Sequence, residues 1–223
     1  MRMQTQERRD PVRCVARIAR WGVPLAGCAL ATSALAGDLV IDVRSVSGKP
    51  LVDAVVFAEP VNGETPRPTG PLKATIDQVN KEFVPRISVI RAGTVVSFPN
   101  SDNIRHSIYS FSPVKTFTTK LYSGKEAPPV TFDKTGLVTL GCNIHDLMVA
   151  WVVIVDTPWF GKSDASGTGT LKGLPPGDYK VSAWYPAPAF TPAVKQVHVT
   201  EQAPAREEIK LQVDAIPASD AAK

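Results

Sequence analysis

The sequence predicts an all-β protein, and three observations carry that expectation. Apolar residues recur at every second position in short runs, as in Leu39, Ile41 and Val43. The runs are divided by Gly, Pro, Asn and Asp, the residues that turn a chain. No long stretch repeats apolar residues at helical spacing.

The first 36 residues are expected to be a secretory signal peptide rather than part of the fold. Arg8, Arg9, Arg13, Arg17 and Arg20 lead into an apolar run from Trp21 to Ala36, too short for a stable membrane anchor and ending in Ala34-Leu35-Ala36. This predicts an exported, periplasmic protein whose mature chain starts at Gly37. An alternative takes Leu25-Ala26-Gly27-Cys28 as a lipobox, which would anchor the chain through Cys28. No other segment is long and apolar enough to span a bilayer, so no integral membrane segment is expected in the mature chain.

Residues 37–223 carry 19 basic and 19 acidic side chains, so the high isoelectric point belongs to the leader. A neutral mature chain gives no argument for binding nucleic acid. Its 187 residues suffice for one large or two small cores without disulfide staples. Cys14 and Cys28 leave with the leader, which makes Cys142 the sole mature thiol in an oxidising compartment. Such a cysteine is a buried bystander, an intermolecular link, a nucleophile or a metal ligand.

From Gly37, one strand is expected around Leu39 to Val43, then the turn Ser47-Gly48-Lys49-Pro50, then a second strand from Leu51 to Ala58. Glu59 to Pro71, with four prolines and two glycines, reads as a linker. Further strands are expected at Arg86–Ile90, Thr94–Phe98, His106–Phe111, Val130–Asp133, Leu137–Cys142 and Val149–Asp156. After Pro158 come a turn at Ser163–Gly167, a strand at Gly169–Gly173, the turn Leu174-Pro175-Pro176-Gly177-Asp178 and a strand at Tyr179–Trp184. His198, between Val197 and Val199 on an alternating strand, is expected to face solvent, and the tail from 214 to 223 to be disordered.

One segment carries chemistry. Cys142, His145 and Met148 follow one another at intervals of three at the end of an apolar strand. Thiolate and thioether suit Cu(I), imidazole suits both copper oxidation states, and two imidazoles with a thiolate and a weak thioether form an electron-transfer set. Zinc would favour Cys and His without the thioether. A second imidazole is needed, and His106 supplies it after the strand and loop Gly93 to Arg105. Taken singly, each of these residues has an ordinary use as a core or surface side chain.

The run Phe98-Pro99-Asn100, the upstream His106 and the loop Cys142-x-x-His145-x-x-Met148 together resemble the cupredoxins, the small blue copper proteins such as plastocyanin, pseudoazurin and especially amicyanin. The resemblance covers about residues 74–157. It implies a Greek-key β-sandwich with one mononuclear copper ion held by His106, Cys142, His145 and Met148. It further implies a non-enzymatic one-electron carrier that meets transient redox partners at the His145 edge, among Ile144, Leu147 and Val149. The alternative is copper capture and delivery without redox turnover. Where such proteins commonly carry Asn directly after the upstream His, this chain has Ser107, whose hydroxyl is expected to act as a substitute donor.

Asp38 to Ala58 and the segment after Pro158 resemble the carboxypeptidase regulatory-like, transthyretin-like β-sandwich, through their Gly-Lys-Pro and Leu-Pro-Pro-Gly-x-Tyr turns. Nearly the whole mature chain is similar to exported proteins of the methylamine-utilisation type. The expected organisation is a signal peptide (1–36), first strands of the regulatory-like sandwich with a linker (37–72), a cupredoxin domain (73–160), the remainder of the second, Ig-like or transthyretin-like sandwich (161–213) and a tail (214–223). The copper module would either interrupt that sandwich or lean on it edge to edge.

Overall fold

The computed structural model describes residues 37–124, 127–186, 191–201 and 204–213. The expected signal peptide, including Cys28, and the expected C-terminal tail lie outside these residues. The regular elements among them are all strands. They run β1 (Gly37–Ser45), β2 (Val55–Pro60), β3 (Lys73–Thr75), β4 (Asp77–Val79), β5 (Glu82–Val84), β6 (Ile87–Arg91), β7 (Thr94–Phe98), β8 (Tyr109–Ser112) and β9 (Lys115–Thr118). Then come β10 (Ala127–Phe132), β11 (Gly136–Cys142), β12 (His145–Val155), β13 (Phe160–Lys162), β14 (Thr168–Leu174), β15 (Gly177–Trp184), β16 (Ala193–Val199) and β17 (Ala205–Leu211). Among the described residues no helix is long and apolar enough to cross a membrane.

Two pairs of sheets enclose two cores. In the first pair, β14-β1-β17 faces β13-β2-β15-β16. Leu39, Ile41 and Val43 all point inward from β1 and are fully buried, as strict alternation requires. They meet Val56 and Ala58 of β2 and Val181 of β15 in one cluster. In the second pair, β6-β12-β11-β8-β9 covers β10-β7-β3, with Phe98, Phe132, Leu140 and Val152 between them. The chain between β2 and β13 thus builds the second pair, and the strands on either side of it close the first.

β12 belongs to both cores. Its near-continuous apolar run is the composition of a strand covered on two faces. Ala150, Val152 and Ile154 point into the core that includes Cys142, while Val153 and Val155 point into the other. Burial of each Val or Ile side chain contributes roughly 1.5–3 kcal/mol, so this strand couples the two halves energetically.

The expected strand at Leu51–Ala58 begins only at Val55. Asp53 takes a left-handed φ of 61°, which Asp tolerates better than most residues, and ends extended structure there. The expected strand at His106–Phe111 begins at Tyr109. The strand expected from Val149 starts earlier, at His145, with consequences for the site.

Candidate metal centre

Cys142 ends β11 and His145 starts β12, so a two-residue connection folds one back on the other as cross-strand partners. The ladder between these strands is regular from Gly136↔Ile154 to Gly141↔Val149 and then shifts register before Cys142↔His145. Asp146, Leu147 and Met148 are the extra residues on the β12 side. Within this bulge Met148 turns inward and is 1% exposed, while Leu147 turns out and is 95% exposed. Register, rather than the identity of the loop alone, sorts these neighbours into core and surface.

His106 arrives from the other side on a loop that Asn100 organises. The Asn100 amide donates to the carbonyls of Ile104 at 3.0 Å and Tyr122 at 2.8 Å, and its oxygen accepts the Asp102 N–H at 3.0 Å. The His106 backbone is clamped to Tyr122 by a reciprocal pair of hydrogen bonds of 3.0 and 2.9 Å. Its imidazole has no solvent exposure.

These elements bring His106, Cys142 and His145 into one cluster whose candidate ligand atoms all lie within 4.8 Å of one another. The Cys142 sulfur is 3.7 Å from His106 Nδ1 and 4.0 Å from His145 Nδ1. Donors each about 2.0–2.3 Å from one ion are separated by distances of this order. The imidazole rings stand 5.0 Å apart at 54°. Burial pushes the half-buried His145 ring below its ordinary value, the neighbouring His106 and Lys81 push it the same way, and Asp102 opposes them. A neutral imidazole keeps the lone pair that a metal needs. Two imidazoles and a thiol sulfur, the sulfur buried in an apolar core, fit a soft or borderline cation such as copper.

Met148 is buried in the same apolar cluster as Cys142. Ser107 reverses its expected role, because its hydroxyl accepts the Asn143 N–H at 3.4 Å instead of donating. That contact still ties the His106 loop to the turn after Cys142. His198 faces solvent and pairs with Asp178 at 2.7 Å, away from the cluster. Asp146, the carboxylate nearest to Cys142 in sequence, is exposed. The carboxylate that does reach the site is Asp102, with Oδ2 2.7 Å from His106 Nε2. Sequence reasoning missed it, and its only signal was a spacing of four residues from a histidine within an irregular loop.

No family model and no curated protein matches the chain. Among solved structures it is similar to a copper-containing nitrite reductase (NirK) from Thermus scotoductus SA-01, at 26% identity over 44% of this chain and 25% of that chain, with a TM-score of 0.36. It thus spans about a quarter of that enzyme's length. It is also similar to a purple cupredoxin from Nitrosopumilus maritimus, at 21% identity over 38% of this chain and 99% of that one, with a TM-score of 0.33. A reduced amicyanin variant is 17% identical over 44% of this chain and 99% of its own, with a TM-score of 0.34. Cupredoxins are therefore among the structural neighbours of this all-β fold.

Proposed function

We propose that the protein is an exported type 1 (blue) copper protein that carries single electrons between transient protein partners. The observation that carries this reading is the convergence of one sulfur and two imidazoles, from loops far apart in sequence, with candidate ligand atoms within 4.8 Å of one another. His106, Cys142 and His145 would hold the ion, with Met148 as the weak fourth ligand. Copper at such a set supplies one-electron exchange between its two common oxidation states.

The residues themselves perform the remaining tasks. On binding the ion Cys142 would release its proton to solvent and serve as the thiolate, and the two imidazoles would serve as neutral donors. The reciprocal backbone clamp on His106 and the short β11–β12 connection fix the donors in place, so an electron can enter or leave with little rearrangement. His145 stands half-buried beside Ile144, 48% exposed, and Leu147, 95% exposed. An apolar surface of that size suits brief docking of a redox partner.

The test is a visible spectrum of the purified chain after addition of Cu(II), before and after ascorbate. The proposal expects an intense thiolate-to-copper charge-transfer band that ascorbate bleaches and that Cys142→Ala lacks. A colourless complex that yields its copper to a competing chelator would overturn the electron carrier in favour of delivery.

A further inference from the structure

His106 has no access to water, so both ring nitrogens must find their partners inside the protein. Nδ1 faces the Cys142 sulfur and Nε2 faces the Asp102 carboxylate. An ionised carboxylate can only accept, which puts the ring proton on Nε2 and leaves the Nδ1 lone pair towards the cluster. Asp102 is itself held firmly. It accepts the Asn80 N–H at 2.6 Å through Oδ1 and the Lys81 N–H at 2.9 Å through Oδ2. Those two N–H groups belong to the turn between β4 and β5, where Asn80 and Lys81 have φ of 52° and 62°. Moving the carboxylate away would strand both turn donors as well as the His106 proton.

We infer that Asp102 is a positioning residue, which fixes the tautomer and orientation of His106 and biases the loaded site towards its oxidised state. The redox half rests on the copper reading above. Its sign follows from charge: a carboxylate one hydrogen bond from a ligand stabilises the more positive oxidation state and lowers the reduction potential. Partners of this kind typically change metal affinity 10–100-fold when removed.

Two variants and one metal-free measurement test it. Nitrogen NMR of the metal-free wild type at neutral pH is expected to show His106 protonated at Nε2, and protonation at Nδ1 would overturn the positioning role. Asp102→Ala, which removes the acceptor, is expected to give a mixture of His106 tautomers. Asp102→Asn keeps an oxygen acceptor while losing the charge. It is expected to shift the ratio of Cu(I) to Cu(II) affinity at least about tenfold towards Cu(I), a rise of about 59 mV for one electron. An unchanged potential in Asp102→Asn, with the blue band intact, would overturn the redox half alone. A wild type that binds no copper would overturn the proposed function and that half with it, while the tautomer measurement still judges the positioning. If Asp102→Ala fails to fold, as circular dichroism would report, the wild-type tautomer and Asp102→Asn decide.

Discussion

Replacing Val153 with Ala should loosen the chain around Cys142 without altering any side chain near it. Val153 is fully buried in the core formed by the two outer sheets, on the face of β12 opposite Val152 and the Cys142 cluster. The substitution removes two methylene equivalents, about 1.6 kcal/mol at ~0.8 kcal/mol each. The residual cavity raises the loss to about 2–3 kcal/mol. If β12 makes the two sandwiches open as one unit, the whole loss reaches Cys142, which is 3% exposed and slow to meet a thiol reagent. Labelling of the metal-free protein should then accelerate by roughly 30-fold for each 2 kcal/mol, provided that opening and closing outpace the reaction. Tryptophan fluorescence during denaturation, with Trp159 and Trp184 in the affected core and Trp151 packed against it, reports the same loss from the other side. Val152→Ala, in the same buried cluster as Cys142, is the companion and must also speed labelling. Should Val152→Ala accelerate labelling while Val153→Ala moves only the fluorescence transition, the two sandwiches open separately and the coupling through β12 is refuted.

Two further outcomes are expected. Gly141 lies opposite Tyr109, and a Cβ added there would stand 2.6 Å from Cζ and 2.7 Å from the hydroxyl oxygen. Gly141→Ala should therefore cost about 1–2 kcal/mol in a thermal melt, with much of the loss relieved by Tyr109→Ala, and equal losses in both backgrounds would exclude the clash. For Asp42, burial raises the carboxyl, but the Thr168 hydroxyl and the two-pronged Arg206 contact outweigh it and leave the group below its usual range. A lowered folded-state value means that the stabilisation is present above the unfolded carboxylate range, near 3.9, and is lost as pH falls through the folded value. Asp42→Asn should remove about 1 kcal/mol at neutral pH, a small figure because Arg206 is largely in water, and should flatten the acid limb of a stability-versus-pH curve. An unchanged acid limb would show that Asp42 does not contribute to it.

Physical range decides which parts of this molecule can be read from its sequence. Leu39, Ile41 and Val43 were legible because alternation is local and one face of β1 is buried along its length. Cys142 and His145 were legible as neighbours because a single short turn separates them. Strands β3, β4 and β5, three residues each, are too short to display a period. The start of β12 escaped because Asp146, Leu147 and Met148 break alternation at the bulge. Ser107 and Asp102 escaped for another reason: their roles are set by backbone N–H groups at Asn143, Asn80 and Lys81 that only the fold delivers. An irregular loop has no periodicity to announce which polar side chain turns inward.

The two-faced strand also explains why one sandwich can sit inside another without smothering the cluster. The residues of the β11–β12 hairpin that touch the outer core are Leu137, Trp151, Val153 and Val155. Leu137 pairs with Val153, whereas Cys142 pairs with His145 at the opposite end of the ladder. Five residues of strand, at about 3.3 Å each, separate Leu137 from Cys142, or roughly 16 Å. The outer sandwich therefore grips the hairpin at its far end, and Ile144 and Leu147 remain exposed beside His145. The same placement makes the outer sandwich indispensable. Cutting it away would expose Val153, Val155 and Ile87 on the sheet that carries Cys142, so the inner sandwich would lose cover on the reverse face of its own central strand.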